Sequence, residues 1–230
     1  MLEYSKYGII GATEGGRREQ GLEYILSWFG VMPSEYDTYD ELGKLSPLIT
    51  GPEKIHIFDA IFANSRKNAT DNDAVKKIIM LCGSVTTGYY HNFSCYNENT
   101  FSYYQNIKNG TNHAISLVGW DDNYPASNFL ITPPGNGAFI LKNSWGTDYG
   151  EEGYIYISYY DTSLLNTTFA IGFIIENMEN YTANYQTDLG GHLEKEYNSE
   201  CGYKNTYEAY SPALISAVGT YFEENENYTL

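Results

Sequence analysis

Three side chains in this sequence sit where they could do chemistry together. His113 heads the apolar stretch HAISLVGWDD, Asn143 ends the stretch GAFILKN, and Trp145 follows two residues later. If those stretches are neighbouring strands, the amide oxygen of Asn143 can accept a proton from one ring nitrogen of His113. Such a bond fixes the tautomer and leaves the other nitrogen aimed outward as a base. A base held in that way serves a nucleophile, usually a Ser or Cys side chain. Trp145 is placed to cover the bond and keep water from competing for it. Each residue alone has a plainer role. A histidine entering a strand is commonly a satisfied core or surface group, an asparagine before a turn does turn chemistry, and a tryptophan packs in a core. The three weigh more together than separately.

The elements that must carry them follow from periodicity. In residues 17–29, Leu22, Ile25, Leu26 and Phe29 fall at i, i+3, i+4 and i+7, one helical stripe ended by Gly30. Residues 31–54 are turn-rich, and IHIFDAIFA (55–63) has a strand's weak alternation. TDND is a helix-start signal. Val75, Ile78, Ile79 and Cys82 then make a second stripe, stopped at Gly83. SVTTGYY (84–90) has strand composition, 91–111 reads as a polar loop, and 113–122 is a strand. Residues 123–137 are a loop, GAFILKN and GYIYISYYD are strands, and TTFAIGFIIE (167–176) is another. Helices first and strands later imply α+β layering. After Glu176 the texture turns polar through residue 198. SPALISAVGTYF (211–222) then reads as a new strand.

Composition narrows the classes. The chain has 230 residues, 42% of them hydrophobic, enough for a sizeable core. With 13 basic against 29 acidic residues its net charge is −16, which excludes nucleic acid and anionic lipid as principal partners. No apolar run approaches the length of a membrane span. Neither a spaced Asp-rich calcium loop nor a CxxC knuckle occurs, so no cofactor or metal is implied. Six Asn-x-Ser/Thr sequons, at Asn68, Asn92, Asn109, Asn166, Asn180 and Asn227, suit an exported protein or arise by chance in an Asn-rich chain. No signal peptide opens the sequence.

NHAISLVGWDD and GAFILKNSWGTDYGEEGYIYISYYD resemble the histidine and asparagine motifs of the papain-like cysteine peptidases. The Lys-Asn-Ser-Trp-Gly string followed by Gly-x-x-Gly-Tyr is the most specific part. The resemblance implies His113 as general base, Asn143 as its orienting amide and Trp145 as the shielding indole. EGGRREQGLEYILSWFG is similar to the stretch whose glycines line the substrate cleft. There Gly15 and Gly16 would lie beside an extended peptide, Gly16 pairing with it through its backbone. LCGSVTTGYY resembles the family's strand after Gly-Pro-Val, with Ser84 in the proline's place. The likeness covers roughly residues 10–176. The long Pro-Pro-Gly loop between the two motifs resembles a microbial cell-surface branch in which a lectin-like β domain follows. The implied fold is α+β and papain-like but incomplete: mainly the antiparallel β-barrel-like lobe plus part of the helical lobe over residues 1–178. A linker and the beginning of a β-sandwich, lectin-like domain over 179–230 follow. The partners implied are a polypeptide substrate and, through the β region, a surface glycan or protein.

The family's chemistry needs a thiolate, paired with the imidazolium so that its pKa falls. Cys82 begins CGSV, yet the nucleophile of the family signature is its second cysteine, and Val85 stands there. Cys82 also ends a helix and completes its stripe, as a packing thiol would. Cys95 lies in the polar loop and Cys201 in the tail. The family's cysteine lies roughly 130 or more residues before its histidine, which counts back to a point before Met1. Gln20-Gly21 sits inside the first helix and is no oxyanion pair. The expectation is a chain holding the base half of a cysteine peptidase, inactive by itself. The alternative is a non-catalytic, peptidase-like binding or adhesion protein at the cell surface.

Overall fold

The computed structural model describes residues 3–5, 8–10, 18–26, 28, 56–166, 170–176, 183–185, 206–209 and 211–218. The chain divides into two compact units, Met1–Ile57 with Glu176–Leu230, and Phe58–Ile175. In the first, β1 (Glu3–Ser5) and β2 (Gly8–Ile10) form an antiparallel pair with Tyr4 opposite Ile9. The expected first helix is α1 (Arg18–Leu26), with Leu22 buried. Phe29 and Gly30, the expected end of its stripe, lie outside the described residues, as do Gly15, Gly16 and Cys201. The strand expected at 211–222 does not form over residues 211–218: they carry no ladder, and Leu214 and Ile215 are exposed. Strand composition yields a strand only where a partner supplies hydrogen bonds and a surface to pack on.

The second unit holds a large sheet. Its strands are β3 (His56–Ala63), β4 (Val85–Tyr89), β5 (Tyr96–Asn97), β6 (Ser102–Tyr103), β7 (His113–Asp121), β8 (Ala138–Lys142), β9 (Tyr154–Ser158) and β10 (Ala170–Glu176). They lie in the order β3-β10-β4-β7-β8-β9-β6-β5. The β10–β4, β4–β7, β7–β8, β8–β9 and β5–β6 pairs are antiparallel, and β6 runs parallel to β9. Mixed pairing with helices set apart is the α+β arrangement expected. The central strands alternate as half-buried strands must. Leu117 on β7, Phe139 and Leu141 on β8, and Ile155 and Ile157 on β9 are fully buried.

α2 (Asp73–Cys82) packs Val75, Ile78 and Ile79 into this core and ends at Gly83, whose left-handed φ of 80° lets its N–H reach Ile79 O at 2.8 Å. It starts where the TDND signal placed it. The cap residue Asn72, however, makes no side-chain bond to the helix. Its Oδ1 accepts from Arg66 Nη1 at 2.9 Å instead. The buried Arg66 guanidinium also donates to Tyr159 O and Leu164 O, each at 2.9 Å. A buried cation needs those acceptors more than the helix needs its cap.

Residues 91–111 are more ordered than a polar loop. They contain a 3-10 turn at Phe93–Cys95, the two-residue strands β5 and β6, and buried Tyr96, Tyr103, Tyr104 and Gln105. Strands this short leave no period in the sequence.

Candidate active site

His113 is the first residue of β7, and its ladder partner on β4 is Tyr89. Asn143 directly follows β8, whose Lys142 and Leu141 face Ser116 and Leu117 of β7. The register therefore sets Asn143 across from Ile115, diagonal to His113. Side chains alternate between faces. His113 thus shares a face with Ile115 and Leu117, and Asn143 shares one with Leu141 and Phe139. Both polar groups close the end of the buried row, where diagonal side chains are within reach of each other. His113 Nε2 lies 2.9 Å from Asn143 Oδ1. An amide oxygen only accepts, so the ring nitrogen donates, and Nδ1 of the uncharged ring is left bare.

The asparagine is well held. Its N–H donates to Gly153 O at 3.0 Å, and Oδ1 accepts a second bond, from Ser144 N at 2.8 Å. The residue is only 8% exposed. Its Nδ2 is buried without a hydrogen-bond partner among the described residues. The loop that returns the chain to Gly153 depends on Gly150, whose φ is 72° and whose Cβ, were there one, would stand 2.2 Å from Tyr154 O.

Trp145 tilts over the histidine, with ring centroids 4.7 Å apart and planes at 32°. Tyr149 meets the indole edge-on at 4.8 Å, and Phe93 stacks on it at 5.8 Å. At 41% exposure the indole keeps one side open to solvent. The structure thus brings His113, Asn143 and Trp145 together at one place.

Sequence reasoning missed part of this site. His91 lies beneath the same indole, 4.9 Å away and edge-on, with its ring 6.0 Å from that of His113. Burial, and secondarily the charge of His113, hold His91 down at about 4. The signal that could have found it is the aromatic run YYHNF immediately after a strand.

Neither described cysteine bonds to His113. Cys82 ends α2 against β10, close enough that a Cβ on Gly172 would meet its Sγ at 2.9 Å. Burial, then the nearby Asp59 carboxylate, raises its thiol above the usual value, the reverse of what a nucleophile requires. Cys95 is buried, with Sγ 3.9 Å from Gln105 Oε1. Among the described residues no group of three or more His, Cys, Asp or Glu side chains could hold a metal ion.

Pro-cathepsin H of Mus musculus is 32% identical over 148 residues, which span 63% of this chain and 40% of that protein. The clostridial cysteine protease Cwp84 after propeptide cleavage superposes with a TM-score of 0.61 at 31% identity, over 70% of this chain and 41% of Cwp84. The cysteine protease and lectin-like domains of Cwp84, a surface layer associated protein of Clostridium difficile, give 0.58 at 32% identity, over 67% of this chain and 35% of that one. Bromelain of Ananas comosus shares the fold, with a TM-score of 0.51 at 24% identity over 70% of this chain and 71% of bromelain. The chain thus spans about 40% of the length of pro-cathepsin H and of Cwp84. With the profile of the papain family cysteine proteases matching residues 5–171, this chain belongs to that family.

Proposed function

We propose that the chain carries the base half of a thiol-dependent peptidase acting on polypeptides. His113 is its general base and acid, Asn143 its orienting amide, and Trp145 the cover over their bond. The 2.9 Å contact between Nε2 and Oδ1 is the observation that carries this reading. With Nε2–H committed to Asn143, Nδ1 takes the proton of a cysteine thiol and forms a thiolate–imidazolium pair. The thiolate attacks the peptide carbonyl, and the imidazolium then gives its proton to the departing amine. Water next attacks the thioester with His113 again the base, the C–S bond breaks, and the thiolate leaves as the carboxylic acid product is released. The amide of Asn143 keeps the ring from turning between the two proton transfers.

Cys82 and Cys95 are packing thiols in this reading, so the described part of the chain holds no nucleophile. By analogy with Cwp84, residues 179–230 would open a lectin-like domain, and the protein would work outside the cell, possessing a surface glycan or protein as a further partner. Among the described residues no helix is long and apolar enough to cross a membrane.

Release of fluorophore from a peptidyl amide tests the assignment. The chain alone should be inactive. A longer chain that sets a cysteine thiol against His113 Nδ1 should be active and blocked by iodoacetamide. His113→Ala should reduce that activity by about 100-fold or more. Hydrolysis by the isolated chain that Cys82→Ala or Cys95→Ala abolishes would move the nucleophile into this chain. Activity indifferent to His113→Ala would reject the assignment.

A further inference from the structure

His91 belongs to no expected motif, yet the fold fixes it with unusual care. Its N–H donates to Asn112 Oδ1 at 2.6 Å, and Asn112 Nδ2 donates back to His91 O at 3.0 Å. Asn112 precedes His113, and its own N–H donates to Tyr89 O at 3.1 Å. On either side of this clamp, Tyr90 N donates to Ser163 Oγ at 2.8 Å and Tyr103 OH donates to Tyr90 O at 2.6 Å. The backbone bearing His91 is therefore tied directly to the backbone bearing His113.

The ring is fixed as well. Tyr89 OH lies 2.7 Å from His91 Nδ1. Burial drives the Tyr89 phenol far above its usual value, so it stays protonated and can donate. His91 then carries its own proton on Nε2, which is buried without a partner among the described residues. Around the ring, Tyr103 stacks at 5.6 Å and 23°, Phe93 stands edge-on at 4.6 Å, and Trp145 stands edge-on at 4.9 Å. A ring held only by packing has a broad χ2 well. A ring whose Nδ1 accepts from a buried hydroxyl has one orientation.

We propose that His91 is a positioning residue for the His113–Asn143 pair. As an uncharged imidazole bonded to the Tyr89 hydroxyl, it holds the half-open Trp145 indole over that pair and so keeps water from their shared proton. This rests on the reading of the pair given above. The titratable groups against His91 are Tyr89 beside it on the chain, Tyr103 of β6 and His113 of β7. With the first two protonated and His91 down at about 4, the cluster carries no negative charge and His91 no positive one at neutral pH.

Solvent exchange of the His113 Nε2 proton, measured by NMR on the full chain, tests the proposal. His91→Phe keeps an aromatic ring and removes the acceptor. Tyr89→Phe keeps His91 and removes the donor. Exchange should be about tenfold faster in each, approaching the rate in Trp145→Ala. A residue that merely fills space would leave His91→Phe at the wild-type rate, and that result overturns the proposal. Should His91→Phe fail to fold by circular dichroism, Tyr89→Phe decides alone. Absence of a proton on His113 Nε2 in the wild-type chain would instead refute the base assignment beneath the proposal.

Discussion

Replacing Asn143 by alanine should cost little stability while removing the site's orientation. Oδ1 accepts two bonds, from His113 Nε2 at 2.9 Å and from Ser144 N at 2.8 Å. Each is worth about 1 kcal/mol net, so the loss is about 2 kcal/mol. Ser144 is exposed and His113 half-buried, so water can take up both donors once the amide has gone. Against this stands Nδ2, buried without a partner among the described residues. Burying such a donor costs about 1–3 kcal/mol, which truncation returns. The difference is about 1 kcal/mol or less, and Asn143→Leu, which keeps most of the volume, should cost no more. Guanidinium unfolding followed by circular dichroism measures it. Over the same substitution the His113 tautomer preference should fall by roughly fivefold, since about 1 kcal/mol is a factor of about five. A cost above about 3 kcal/mol would show that Asn143 is a structural staple, and the argument that its amide is kept for its effect on His113 would fail.

Other substitutions probe the scaffold. Gly172→Ala puts a Cβ 2.2 Å from Ile78 Cγ2 and 2.9 Å from Cys82 Sγ. It should cost about 1–3 kcal/mol, and combining it with Ile78→Ala should cost less than the sum of the two, as a double-mutant cycle would read. Arg66→Ala strips donors from Asn72 Oδ1, Tyr159 O and Leu164 O and removes the cation that Asp161 feels. About 3–5 kcal/mol should be lost, measured by urea unfolding. His91 should titrate near 4 by NMR, against 6.5 for a free imidazole, and His113→Ala should raise it only partway, since burial is the larger cause. The folded value is the lower one, so the unfolded chain binds the extra proton. Stability is full above pH 6.5 and falls as pH drops toward 4, by about 1–2 kcal/mol once the ring's partial exposure is discounted.

What the sequence disclosed, and what it hid, has a physical pattern. His113 and Asn143 were legible because each interrupts a long apolar alternation at its end, where a polar group on the core face needs a reason. The α2 stripe of Val75, Ile78 and Ile79 was legible because three residues at helical spacing leave one interpretation. The cap at Asn72 was right in place and wrong in bonding, because its partner Arg66 answers to carbonyls 93 and 98 residues away in sequence. His91 was hidden for a similar reason. Its clamp closes on Asn112, 21 residues on, across strands of two residues that have no period. The tail at 211–218 shows the converse, a strand's composition that forms no ladder with any of the described residues.

The central claim is that one proton joins two side chains 30 residues apart in sequence. The nitrogen-15 spectrum of His113, recorded where its ring is uncharged, reads it directly. Nε2 should be protonated and Nδ1 bare, and Asn143→Ala should weaken that preference several-fold. A proton on Nδ1 in the wild-type chain, or a preference unchanged by loss of the amide, would contradict the account.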